Sequence, residues 1–181
     1  MLFNNYDLLR EPEEVDENAE YICITDNPDL KSNVWKIMYM AAFNTDKLTG
    51  FQKTYITKYS KLLDVCSTES KYVIRVDASI QIHKKLTPIV EYIDDNNYDA
   101  LLMIHNYRDD FINEYNVWIT GRGLDKKYME RFIRYTSENG FNINHTGLIE
   151  CTIQCYRICD KTATFLEDVN NTLYNEVKYD D

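Results

Sequence analysis

The feature that most constrains this chain is its punctuation. Short β-branched and aromatic runs break off at polar or turn residues, and segments of helical period lie between them. Residues 21–25 (Tyr-Ile-Cys-Ile-Thr) stop at Asp26-Asn27-Pro28-Asp29, which reads as a buried strand entering a turn. Residues 34–40 read as a second strand. Residues 72–77 (Tyr-Val-Ile-Arg-Val-Asp) form a third that ends in an acid, and 100–104 a fourth that runs directly into His105. Residues 148–159 alternate as a fifth. Between them, Tyr55, Ile56, Tyr59, Leu62, Leu63 and Cys66 recur at three- to four-residue steps and predict a helix over 52–66. Thr87 offers an N-cap hydroxyl, Pro88 fits the first helical position, and Ile89, Val90 and Ile93 continue a helix that ends over 94–97. Tyr128, Phe132 and Tyr135 predict a helix closing near Asn139-Gly140, and Phe165, Leu166, Val169, Leu173 and Val177 form one apolar stripe. Strands alternating with helices predict an α/β layered sheet, whose strand ends are where ligands bind in open α/β folds.

At 181 residues the chain is expected to be a single domain with a full core. Twenty basic against thirty acidic residues leave a net charge of −10, a field that repels polyanions, so nucleic acid is not the expected partner. No run reaches the roughly 18 to 20 apolar residues of a membrane span, and the first residues lack a signal-peptide pattern, so a cytoplasmic location without a transmembrane segment is expected. Five cysteines, an odd number, argue against a disulfide framework. Five glycines exclude the phosphate-cradling loops: Gly121-Arg122-Gly123 has no third glycine at dinucleotide spacing, and no G-x-x-x-x-G-K is present. Any nucleotide would have to be held by side chains and a metal.

Two groups of residues carry chemistry. In Asp77-Ala78-Ser79, extended backbone would aim the carboxylate and the hydroxyl to one side, an oxygen pair suited to Mg2+ or Mn2+; the bland reading is a turn-capping Asp. In His105-Asn106-Tyr107-Arg108, with Glu114 six residues on, the guanidinium could fork onto a phosphate and the imidazole could bind metal or a proton. The bland reading there is an Arg108–Glu114 surface pair. Cys151, Cys155 and Cys159 lack the paired C-x-x-C spacing of zinc sites and are expected to be reduced, sharing one packed strand face.

Taken in order, several segments resemble a glycosyltransferase-like family, formerly a domain of unknown function, of plant mucilage-associated Golgi proteins and bacterial polysaccharide-locus proteins. The segments are Tyr6-Asp7 with Leu9 and Pro12; 21–26 with Trp35; Lys61; Val76-Asp77-Ala78-Ser79-Ile80; His105-x-x-Arg108 with Glu114; Gly140-Phe141; and Gly147-Leu148-x-Glu150 with Arg157. The resemblance implies a GT-A-like layered mixed sheet, mostly parallel and flanked by helices. It implies one glycosyltransferase-like domain over 1–181 that is shorter than the family pattern at both ends. Its activity would be metal-assisted transfer from a nucleotide-sugar to a glycan or related acceptor. Asp77 would hold Mn2+ or Mg2+, Arg108, Ser79 and Lys61 the donor, and Glu114 and His105 would serve catalysis. Two other readings stay open: a non-catalytic sugar-binding or assembly protein on a degenerate glycosyltransferase fold, and a hydrolase using Asp77 and Glu114 as a carboxylate pair.

Overall fold

The structure is a computed structural model and describes residues 1–5, 7–41, 62–64, 66, 69–122, 126–140 and 147–176. Among the described residues, five strands and four helices follow in the order β1 (Ile22–Thr25), β2 (Lys36–Tyr39), β3 (Tyr72–Val76), α1 (Thr87–Asp95), β4 (Ala100–Ile104), α2 (Phe111–Arg122), α3 (Lys126–Glu138), β5 (Ile149–Arg157) and α4 (Asp160–Glu176). Each strand expected from the sequence is present. Helix α2 was not anticipated, because its apolar residues keep to no single face. The helix expected over 52–66 lies almost wholly outside the described residues; of its apolar positions, Leu62 is buried.

β1 and β2 form a parallel pair, while β3, β5 and β4 form a separate three-stranded sheet with β5 in the middle. β5 is antiparallel to both neighbours. The mixed α/β class therefore stands, but the expectation of a mostly parallel sheet is corrected among the described residues. The physical reason is that β5 enters between β3 and β4 from the opposite direction, taking the ladder that a direct β3–β4 pairing would have used. β3 and β4, both antiparallel to β5, remain parallel to each other, as their connection through α1 requires.

The registers sort the side chains by face. Val73, Tyr156 and Ala100 lie in one row, and Tyr156 packs with Leu166 of α4 and with Leu62 in the core. Tyr156 is 1% exposed, and burying an aromatic side chain of that size contributes roughly 1.5 to 3 kcal/mol. Tyr72 and Arg157 occupy the opposite face, where α1 docks. There Arg157 donates from Nε to the Tyr98 carbonyl at 3.1 Å, pairs with Asp94 at 2.9 Å and sits 5.5 Å from the Tyr72 ring centroid. Helices thus cover both faces of the three-stranded sheet. Among the described residues no helix is long and apolar enough to cross a membrane.

The start of α1 departs from the expected cap. Thr87 is the first helical residue, Leu86 holds the cap position and no side chain from the helix bonds back. Asp16, 71 positions away, supplies the missing acceptor: its Oδ2 takes the Thr87 N–H at 2.7 Å and the Thr87 hydroxyl at 2.5 Å. Its Oδ1 takes the Asn18 N–H at 3.1 Å, and its own N–H donates to the Tyr21 hydroxyl at 3.1 Å. A carboxylate only 2% exposed is thus fully bonded at a helix N-terminus, where the dipole favours negative charge. The Thr87 hydroxyl, helped by the backbone N–H groups of Thr87 and Asn18, holds the Asp16 carboxyl below the usual carboxylate range.

Asp16→Ala should therefore cost about 2 kcal/mol, a cap and charge-assisted bonds lost together. Because the folded carboxyl is shifted down, its contribution is fully present above the unfolded value near 3.8 and is lost as pH falls through the folded value. The difference in urea midpoint between wild type and Asp16→Ala should be full at pH 7 and shrink as pH falls below 3.8; a difference that does not change with pH would show that the charge is not what matters.

Candidate functional site

Asp77 and His105 follow β3 and β4 directly, and because these strands are parallel both residues leave the sheet at one edge. The row Arg75–Gln154–Leu102 gives a common level across the three strands. Beyond it, β4 pairs Met103 with Glu150, so Cys151 to Ile153 on β5 have no counterpart on β4. The Asp77 N–H donates to the Thr152 carbonyl at 2.8 Å and the His105 N–H to the Leu148 carbonyl at 2.7 Å. Asp77 lies two residues past the common row and His105 three, so their backbones sit on the order of 10 Å apart, two strand spacings. A single ion does not span that gap; an extended ligand does.

Arg75 organises the Asp77 side. An arginine in the middle of an apolar strand, 8% exposed, is rare unless paired, and here three oxygens converge on it. Nη1 donates to the Cys151 carbonyl in the bulge and faces Gln154 Oε1 at 3.5 Å, while Nη2 donates to Asp77 Oδ1. Among the described residues, its Nε is buried without a hydrogen-bond partner. The Asp77 side chain is 36% exposed, and among the described residues nothing bonds its Oδ2. The Ile80 N–H bonds back to the Asp77 carbonyl at 3.0 Å, so Asp77-Ala78-Ser79-Ile80 is a tight turn. This corrects the extended geometry expected for Asp77 and Ser79; Ser79 is exposed on the turn.

Along the outer edge of β3 runs a cavity of about 650 Å3, lined by Arg75 and Asp77 and, from the β1 side, by Tyr21, Cys23 and Trp35. Tyr21 and Trp35 meet edge to face at 5.3 Å. The α-amino group of Met1 lies within reach of these charges. Burial and the Arg75 guanidinium push its pKa down, against Cys23 and Asp77, which hold it up.

The second group is closed on itself. His105 Nδ1 accepts the N–H groups of Tyr107 and Arg108, both at 3.1 Å, so the loop after β4 wraps around the ring. An imidazole that accepts at Nδ1 carries its proton on Nε2 when neutral. Nε2 faces Arg108 Nη2 at 3.0 Å and Glu114 Oε2 at 3.7 Å, and Arg108 Nε donates to Glu114 Oε2. His105, Arg108 and Glu114 are thus brought together, with the Arg108–Glu114 pair formed and half-buried. Among the described residues no group bonds Arg108 Nη1, which can serve an anion. His105 is better placed to hold the loop than to accept a proton, since its Nδ1 lone pair is committed to the backbone.

Asp77, His105, Arg108 and Glu114 therefore share one edge, Ser79 stands on the adjoining turn, and Lys61 lies outside the described residues. Sequence reasoning missed Arg75, Gln154 and Asp16. A charge within Tyr-Val-Ile-Arg-Val was the available signal for Arg75; nothing local marked Asp16. Of the oxygens around Asp77, Oδ1 and the Cys151 carbonyl already accept from a guanidinium, which leaves a divalent cation only Oδ2 of that carboxylate. Among the described residues no three His, Cys, Asp or Glu side chains are grouped to hold a metal.

The cysteines divide by environment. All five are free. Cys155 is 1% exposed, and burial pushes its thiol up to about 12. Cys151 lies half-buried in the bulge, and Cys159 falls past the end of β5, so the expected single packed face is corrected for Cys159. Thr162 Oγ1 accepts the Cys159 N–H at 3.1 Å and lies 3.6 Å from its Sγ; backbone and side-chain bonds from Thr162 hold this thiol below its ordinary value. In timed alkylation at pH 8 read by peptide mass, Cys159 should react ahead of Cys155, and Cys155 only in denaturant; prompt labelling of Cys155 in the native protein would contradict the packing described.

Comparison of the chain with protein-family models, with curated proteins and with solved structures found no match.

Proposed function

We propose that this chain transfers a glycosyl group from a nucleotide-sugar to a glycan or related acceptor at the edge where β3 and β4 end. The observation that carries the reading is the level placement of Asp77 and the His105–Arg108–Glu114 group on one side of the sheet. It rests also on the segment-by-segment resemblance to the glycosyltransferase-like family. The donor diphosphate lies toward Arg108, whose Nη1 is directed to a phosphate oxygen while Glu114 holds the guanidinium through Nε. As the bond from the anomeric carbon to the phosphate oxygen breaks, charge builds on the departing diphosphate, and a fixed cation there stabilises the transition state. Asp77 Oδ2 is the acceptor open to a sugar hydroxyl. Glu114 is committed to Arg108, which removes it as a free acid for a hydrolytic carboxylate pair.

A non-catalytic sugar-binding role is the second reading, favoured by one specific observation: the single acid of the motif is itself tied to Arg75. Glycan binding without nucleotide binding would select it.

Arg108→Ala should weaken nucleotide-sugar binding by about 1.5 to 3 kcal/mol, the worth of a charge-assisted hydrogen bond. The fold should survive, because a partly exposed ion pair contributes roughly 1 kcal/mol or less. Calorimetric titration with a panel of nucleoside diphosphate sugars checks this, with circular dichroism as the folding control. Equal affinity for wild type and variant would take Arg108 out of the site, and heat from none of the donors would end the transferase reading.

A further inference from the structure

The oxygens that a hard cation would recruit at the end of β3 are present, but they are gathered around Arg75. Asp77 Oδ1 and the Cys151 carbonyl each accept from its guanidinium, and Gln154 Oε1 lies 3.5 Å from Nη1. Gln154 is 3% exposed and Arg75 8%, so neither swings out to solvent without opening the sheet. Ser79, the other oxygen of the motif, stands on the turn after Asp77 and is exposed. A dication held by both oxygens of Asp77 would have to displace a buried guanidinium, among the costliest changes a protein interior can undergo, and one held by Oδ2 alone would sit beside the guanidinium charge with a single protein carboxylate.

We propose that Arg75, rather than a divalent cation, is the resident counter-charge of Asp77. Arg75 is a positioning residue: it fixes the Asp77 carboxylate through Oδ1, leaves Oδ2 for a ligand hydroxyl and pins the β5 bulge through the Cys151 carbonyl. This deepens the transferase reading and rests on it in one respect: the counter-charge for a diphosphate then comes from side chains, Arg108 first, and the edge works without metal.

The test uses Mn2+ alone, with no nucleotide, titrated by the electron paramagnetic resonance signal of the free ion into wild type, Asp77→Asn, Arg75→Lys and Arg75→Met. Wild type and Asp77→Asn should bind Mn2+ equally weakly, within about twofold, and Arg75→Lys, which keeps the charge, should match them. If Arg75→Met folds, it should gain roughly tenfold or more in Mn2+ affinity as Asp77 is released, and Asp77→Asn in that background should abolish the gain. Wild type holding Mn2+ about tenfold or more tighter than Asp77→Asn would overturn the assignment, as would a folded Arg75→Met with no gain. Should Arg75→Met not fold, the comparison of wild type with Asp77→Asn decides the matter by itself. Because no nucleotide enters the titration, an adverse result leaves the transferase reading intact, and failure of every donor to bind leaves the Mn2+ comparison standing.

Discussion

The arrangement turns on one buried guanidinium. Arg75 sits in the edge strand of a three-stranded sheet, and its bonds to the Cys151 carbonyl and to Asp77 join two features that would otherwise be independent. The carbonyl belongs to the stretch of β5 that β4 does not pair, where a backbone acceptor would be costly if left alone. By satisfying it, Arg75 stabilises the bulge. The same side chain sets the direction of the Asp77 carboxylate. Its Nε has no partner, a cost the fold carries at this one position among the described side chains.

A similar logic holds elsewhere in the chain. Asp16 ends the unbonded N-terminus of α1 from a segment 71 residues away, and Arg157 ties the far end of that helix to the sheet through Asp94, Ile93 and Tyr98. These polar contacts act at element ends, where backbone groups lack partners of their own. Apolar burial around Tyr156, Leu166 and Ile93 supplies the bulk of the cohesion. The polar contacts decide which way each element points, since an unsatisfied buried donor or charge penalises every alternative docking.

The two halves of the edge differ in how open they are. Around His105, the loop bonds to the ring and the guanidinium to the carboxylate, and among the described residues Arg108 Nη1 is left as a donor for a ligand. At Asp77 one carboxylate oxygen is committed and the other is available. A donor at one side and an acceptor at the other suit a ligand that carries both negative charge and hydroxyl groups. That is the polarity that the proposed nucleotide-sugar donor would present.

Much of the element list was legible in the residues themselves. The apolar runs at 21–25, 72–77 and 100–104 became strands nearly to the residue, and the Phe165–Leu166 stripe became α4, because strand and helix periodicity are properties of neighbouring side chains. The parallel relation of β3 and β4 was also legible, from the helix between them. What only the tertiary structure decided was non-local: β5 inserting between those strands, the three-residue slip in its pairing with β4, and the partners of Asp16 and Arg75. Arg75 shows the limit clearly. Its position in an apolar strand signals a buried charge, but its acceptors on β5 lie 76 and 79 residues away, and no local pattern encodes which backbone carbonyl a bulge will leave unpaired. Periodicity is written residue by residue, whereas the pairing of a buried charge is settled only when distant strands compete for the same edge.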